Sequence, residues 1–302
     1  MILIQAQTRT FLATLLAVGC SLALPAHADQ NVELRFAAEV GGAPFACGES
    51  YSAVGTSAAS IMPADFRLYL SAVALLDAEG KAVPLTLEQD GIWQYQDVVL
   101  LDFEDGSGPC QNGNAPTNLS VRGSVPDGDY RGLQFTLGLP FALNHADNLL
   151  AASPLNLSAM FWNWQGGYRF FKVDLAGMGG GMGGGMGGGM MRHDAAAAGG
   201  HGGAGGFLVH LGSTGCASAA STAAPTATCA NPNLVSASFP EFDAATDSVV
   251  VDLADLLQFS DVTVNTPETS PGCMSGVTDP ECADVFRGFG LDGSGQKLFS
   301  VK

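Results

Sequence analysis

The chain has 302 residues, 47% of them hydrophobic, and carries 29 acidic against 12 basic side chains, for a formal net charge of −17. So large an anionic surplus speaks against nucleic acid and anionic membrane surfaces as partners, since both would repel it. It suits an exported protein that attracts cations or a basic partner.

Residues 1–28 read as a secretory signal peptide, with Arg9 as the positive charge, an apolar run from Phe11 to Leu24, and Ala26-His27-Ala28 as a small-residue cleavage site. The run is too short for a spanning helix, so no stable membrane insertion is expected. Ala17-Val18-Gly19-Cys20 loosely resembles a lipoprotein box that would leave Cys20 acylated, but the later site is the better one. Cleavage after Ala28 removes one arginine and no acid, which takes the net charge to −18. The expected location is the bacterial periplasm or cell surface.

Asn31 to Val40 alternates apolar and polar residues, the period-2 pattern of a half-buried strand. Phe66 to Leu76 is a second strand, followed by the turn Asp77-Ala-Glu-Gly80 and a return strand through Val83, Leu85 and Leu87. Trp93 to Phe103 comes next. After the turn Pro126-Asp-Gly-Asp129, residues Leu133, Phe135, Leu137 and Leu139 alternate again. Residues 158–174, Phe207–Leu211, Val235–Phe239 and Ser248–Leu253 complete the set, and Asp252 to Phe259 allows a helical turn or two. Short strands set off by Gly, Pro and Asp predict an all-β, mainly antiparallel β-sandwich with long loops, in one domain over 29–302.

Within 158–174, Met160, Trp162 and Trp164 would share one face of an extended strand. Two indoles filling a sheet core is the plain explanation. Residues 177–206 interrupt the pattern with repeated Gly-Gly-Gly-Met and Ala-Gly runs, a composition that cannot bury a core and predicts a disordered insertion between two strands. Its Met178, Met182, Met186, Met190 and Met191 are thioether donors of the kind that suits Cu(I); the alternative is a low-complexity expansion without function.

Six cysteines remain after signal removal: Cys47, Cys110, Cys216, Cys229, Cys273 and Cys282. In an exported chain an even count means disulfide bonds before metal thiolates, and no Cys-x-x-Cys pair argues for zinc. Of the fifteen possible connectivities, the least entangled pairs Cys47 with Cys110, Cys216 with Cys229, and Cys273 with Cys282.

Of the histidines, His27 leaves with the signal, and His193 and His201 lie in the insertion. His145 follows a strand end and opens a loop, where sites are commonly built. His210 sits mid-strand, opposite in facing to Phe207, Val209 and Leu211. A lone strand histidine is more often a satisfied core residue than a ligand, yet two could converge on copper or zinc. Leu101-Asp-Phe-Glu-Asp-Gly-Ser-Gly108 clusters three carboxylates that could hold calcium or, through Asp102 and Glu104, serve a hydrolase. It departs from EF-hand spacing, and a solvated acidic turn is the simpler reading. No Gly-x-Ser-x-Gly elbow, phosphate-binding glycine loop or Cys-x-x-Cys-His haem attachment site is present.

Taken in order, Phe45-Ala-Cys-Gly48, Asp65-Phe-Arg-Leu-Tyr69, Leu101-Asp-Phe-Glu104, Leu137-Gly-Leu-Pro-Phe141 with Asn144-His145, and Ser153-Pro-Leu-Asn156 form a distinctive series. It continues with Met160 to Tyr168, His210-Leu-Gly-Ser-Thr-Gly-Cys216 and Gly272-Cys-Met-Ser275. The series resembles the metallo-mystery pair four-Cys family of MbnP-like, methanobactin-associated exported proteins, over roughly 32–290. The resemblance implies a copper-binding protein with no haem of its own, partnered by a di-haem c-type cytochrome of the MauG/peroxidase type. That partner would oxidise a tryptophan to kynurenine, with Trp162 and Trp164 as candidates. His145 and His210 match the family's histidine-bearing motifs and become the expected copper ligands. The chain would be a substrate and copper carrier in metal acquisition or homeostasis, not an enzyme. The competing expectation is a metal-free structural or binding β-sandwich of the cell envelope.

Overall fold

The computed structural model describes residues 28–176 and 206–302. All but the last residue of the signal peptide and of the Gly/Met-rich insertion, including the insertion's methionines, His193 and His201, lie outside the described residues.

The longest strand, Ala59–Asp77, organises the larger of two sheets. Its apolar, β-branched and aromatic composition suits burial on both faces, and along its length it changes neighbours. Residues 62–68 pair with Phe171–Ala176, residues 67–71 with Val98–Asp102, and residues 70–77 with Tyr130–Leu137. Ala72, at φ 51°, lies at the register shift that lets the strand bend between partners. Val235–Phe239 adds to one side of this sheet, and Phe207–Leu211 then Gly272–Cys273 to the other. Phe171–Ala176 and Phe207–Leu211, which flank the long insertion, pair directly with Leu175 opposite Phe207.

The smaller sheet runs Phe299–Val301, Ser248–Asp252, Asp29–Val40, Ser120–Pro126, Thr86–Leu87. The two sheets face each other through Phe135 of the larger and Phe36 and Phe299 of the smaller, with ring centroids 5.8 and 5.0 Å apart. The architecture is the all-β, mainly antiparallel sandwich expected; among the described residues two pairings, Asp29–Val40 with Ser248–Asp252 and Phe207–Leu211 with Gly272–Cys273, are parallel.

The return strand through Val83, Leu85 and Leu87 divides. Ala82–Pro84 stays on the larger sheet, whereas Thr86–Leu87 crosses to the smaller. The expected strand over 158–174 is also broken. A 3₁₀ turn, Ser158–Met160, precedes a separate hairpin of Phe161–Asn163 and Gly167–Tyr168, and only Phe171 onward joins the main sheet. Asn163 Oδ1 accepts from the Gly166 N–H at 2.7 Å and closes the hairpin turn, while Gly167 supplies φ 77°.

Leu253–Leu257 forms the short helix expected there, its start capped by Asp252 accepting from Ala254 N–H at 2.8 Å. A longer helix, Pro280–Gly288, has no counterpart in the sequence reading. It packs through Phe289 against Phe171, 5.2 Å between centroids. The disulfides join Cys47 to Cys110, Cys216 to Cys229 and Cys273 to Cys282, which is the least entangled of the connectivities.

Candidate functional site

Trp162 and Trp164 do not fill the core. The hairpin that carries them lies outside both main sheets, and each indole is half-buried while Met160 is fully buried. The expected shared face is therefore absent, because Met160 lies in the 3₁₀ turn and Trp164 in the hairpin turn. Trp162 packs closely on Gly212, where a Cβ would sit 2.5 Å from Cζ3 of the indole and 2.6 Å from the Tyr168 carbonyl oxygen. The Arg169 guanidinium stands over the same ring, 5.6 Å from its centroid, and donates to the carbonyls of Ala159 and Phe161 at 2.9 Å each. Gly212→Ala is expected to push the indole from its seat and to destabilise the fold by about 1–3 kcal/mol through overpacking. A shift in tryptophan emission together with a lower melting temperature would register both effects.

His145 follows the short helix Phe141–Asn144 and packs against Phe141 with ring centroids 4.7 Å apart and planes tilted by 58°. Burial lowers its pKa, so the ring is neutral at neutral pH. Its Nδ1 lies 3.2 Å from the Trp164 carbonyl oxygen, which can only accept, so Nδ1 carries the proton. Nε2 then keeps the lone pair, with Asn144 Nδ2 at 3.1 Å and Cys229 Sγ at 3.5 Å. Asn144 Oδ1 in turn accepts from the Tyr168 N–H at 2.8 Å and ties His145's neighbourhood to the tryptophan hairpin.

His210 lies in a row of ionisable side chains across the larger sheet. Register places Asp102 opposite Arg67, Arg67 opposite Lys172, and Lys172 opposite His210, with Asp65 opposite Asp174 in the next row. All but Asp174 are buried. Arg67 grips Asp65, Lys172 bridges Asp65 and Asp174, and His210 Nε2 lies 2.6 Å from Asp174 Oδ1. Burial would raise the Asp174 pKa, but the hydrogen bond from His210 and the charge of Lys172 outweigh it and hold it below the usual carboxylate range. Burial lowers the His210 pKa despite Asp174, so the imidazole is neutral. An ionised Asp174 can only accept, which puts the proton on Nε2 and the lone pair on Nδ1. That Nδ1 is buried and, among the described residues, has no hydrogen-bond partner.

Each histidine thus has one ring nitrogen held by an oxygen acceptor and the other presenting a lone pair, the arrangement in which imidazoles ligate metals. Among the described residues, two groups of three His, Cys, Asp or Glu ligand atoms lie mutually within 4.8 Å: His145 with Cys216 and Cys229, and Glu104 with Cys47 and Cys110. Both sulfur pairs are joined as disulfides, so neither offers thiolates as it stands. His210 is in neither group. The tryptophan hairpin touches both neighbourhoods, His145 through the Trp164 carbonyl and the His210 strand through Gly212 two residues further on.

The acidic stretch 101–108 departs from the expected solvated turn. Asp102 and Glu104 are fully buried, and Glu104 accepts from the N–H groups of Gly106 and Asn114 at 2.8 Å each. Both lie beside Arg67, which occupies the place a cation would take. Burial, only partly offset by Arg67, pushes the Asp102 pKa from 3.8 up to about 8. The native state therefore holds a proton there that the unfolded chain releases near pH 4. Asp102 favours folding most below its unfolded pKa, and that contribution is lost as pH rises from about 4 to about 8. Asp102→Asn is expected to flatten the wild-type fall in stability across that window, by no more than about 1.4 kcal/mol per pH unit. Urea unfolding of both proteins at several pH values measures the difference.

The sequence reading missed Asp174 as the partner of His210, and Asp65, Arg67 and Lys172 as the rest of the charged row it joins. Their signal was opposite charges two residues apart inside apolar strands, Asp65-Phe-Arg67 and Lys172-Val-Asp174, which places both on one face.

A family profile described as MbnP matches residues 29–275. Among solved structures, MbnP from Methylosinus trichosporium is similar at a TM-score of 0.73 and 32% identity, over 91% of this chain and 98% of that one. No curated protein matches the chain.

Proposed function

The chain belongs to the MbnP family, and from that premise we propose that it is an exported copper-binding protein whose tryptophan is oxidised to kynurenine by a partner di-haem c-type cytochrome of the MauG/peroxidase type. The chain is then the substrate of the partner and the carrier of copper, not a catalyst. The observation that carries this reading is the ring nitrogen each histidine keeps unprotonated, Nε2 of His145 and Nδ1 of His210, the latter unpartnered among the described residues, with a tryptophan hairpin outside both main sheets that meets His145 through the Trp164 carbonyl and the His210 strand at Gly212. Imidazole nitrogens suit copper, and opening an indole to kynurenine adds an aryl amine and a ketone as nitrogen and oxygen donors. Half-burial leaves both indoles open to an external oxidant, which two core tryptophans would not be. Among the described residues no helix is long and apolar enough to cross a membrane.

The test is peptide mass mapping of the chain produced with and without its partner. With the partner, the peptide bearing Trp162 and Trp164 is expected to exchange one carbon atom for one oxygen, and the protein to retain copper through desalting. Without it, both indoles stay intact and copper loading falls. Kynurenine in the partner-free preparation would show a non-enzymatic origin. A metal-free envelope sandwich would retain no copper in either preparation.

A further inference from the structure

The surroundings of the Cys216–Cys229 disulfide are those of a closed metal site. The two cysteines flank the base of the excursion that leaves the sheet after Leu211 and returns at Val235. Backbone bonds hold that base independently of sulfur: Thr214 N–H to Asn231 O at 2.9 Å, Asn231 N–H to Thr214 O at 3.0 Å, and Ala230 N–H to Gly215 O at 3.0 Å. Two thiols at these positions would thus remain side by side, with Cα atoms now 4.0 Å apart. His145 faces them with Nε2 3.5 Å from Cys229 Sγ, and the three ligand atoms lie within 4.8 Å of one another. The Trp164 carbonyl fixes the proton on Nδ1 and aims the Nε2 lone pair at the sulfurs. Asn144 Nδ2, which now donates to Nε2, has Ser213 Oγ as a second acceptor at 3.4 Å and can leave Nε2 free.

We propose that reduction of the Cys216–Cys229 disulfide by a dithiol opens a three-coordinate copper(I) site made of His145, Cys216 and Cys229. In the reduction, the S–S bond breaks by thiol–disulfide exchange. The dithiol supplies two electrons and two protons, becomes a disulfide itself, and leaves two cysteine thiols. Copper(I) then displaces both protons to solvent and is held by two thiolates and one imidazole nitrogen, with no change in its own oxidation state. In an oxidising compartment the site stays shut until such a dithiol arrives. The site shares His145 with the function proposed above, but it needs neither kynurenine nor His210.

The test uses full-length chain produced without the haem partner, so that its tryptophans are unmodified. Oxidised and phosphine-reduced samples are titrated anaerobically with copper(I) against a chromophoric copper(I) chelator, and cysteine protection is then mapped by alkylation and mass spectrometry. Reduced protein is expected to hold about one equivalent of copper(I) against the chelator where the oxidised, unmodified protein holds less, and the metal to shield Cys216 and Cys229 from alkylation but not Cys47 and Cys110. His145→Ala should lose the added uptake, whereas His210→Ala should keep it. Equal uptake in both redox states, or protection confined to the other cysteines, would overturn the proposal. The alkylation map reads the unmutated chain, so it decides the matter whether or not any variant folds. Copper lost from the oxidised, partner-modified protein on His210→Ala bears on the other reading alone.

Discussion

Arg67→Met is expected to cost about 3–5 kcal/mol of folding stability, the range for removing one partner of a buried ion cluster. For a domain of this size that corresponds to a fall in melting temperature on the order of 10 °C. Arg67 is 1% exposed and stands among Asp65, Asp102 and Glu104, none more than 1% exposed. Around it the buried or half-buried carboxylates Asp65, Asp102, Glu104 and Asp174 face the cations Arg67, Lys172 and Arg169. With Asp102 protonated, as its raised pKa dictates, three negative charges meet three positive ones. Methionine keeps much of the side-chain volume but none of the charge, so the neighbouring carboxylates are left without their main counter-ion. Adding Asp65→Asn to Arg67→Met should recover part of the loss, since the worst uncompensated anion goes with it. A single variant that melts within 2–3 °C of the wild type would mean the cluster is hydrated and the charges are not confined to one another. The measurement is thermal unfolding followed by circular dichroism at pH 7.

The apolar half of the fold was legible because each strand could be read alone. Phe207–Leu211 and Val235–Phe239 occur with the predicted bounds, and Asn31 to Val40 lies within the strand Asp29–Val40. What failed were features set by a neighbour. Nothing in Val83 to Leu87 says that the first residues pair with Ala59–Asp77 and the last with Ser120–Pro126. The helix Pro280–Gly288 has its signals, Asp279 as N-cap and proline in the first turn, but nine residues are too few for a 3.6-residue period to stand out. His145 and His210 could be singled out as residues, yet their usable nitrogens follow from a carbonyl 19 positions away and a carboxylate 36 positions away. Asp102 and Glu104 looked solvated because an acidic run normally is; burial beside Arg67 is a property of the sheet register.

If His210 ligates copper as proposed, Asp174→Asn is expected to weaken copper binding by about 10–100-fold, the usual cost of losing the group that orients a metal-ligating histidine. Asp174 accepts from His210 Nε2, which fixes the lone pair on Nδ1. Asparagine can offer Nε2 either an oxygen or an N–H. In the second orientation the imidazole proton moves to Nδ1 and the ligand atom is blocked. The neutral side chain also gives the ring less basicity than a carboxylate does, so even the favourable tautomer donates less well to the metal. The change should leave kynurenine formation intact, because Asp174 bonds to Lys172 and His210 and to neither indole. Lys172 keeps Asp65 as its counter-ion, so a folded protein is expected. Chelator competition on partner-modified protein gives the affinity, and circular dichroism checks the fold. If the variant binds copper within about twofold of the wild type, His210 is a structural member of the charged row and not a ligand. His145→Ala should lose copper irrespective of that outcome, because its Nε2 is oriented by the Trp164 carbonyl and not by any part of the charged row.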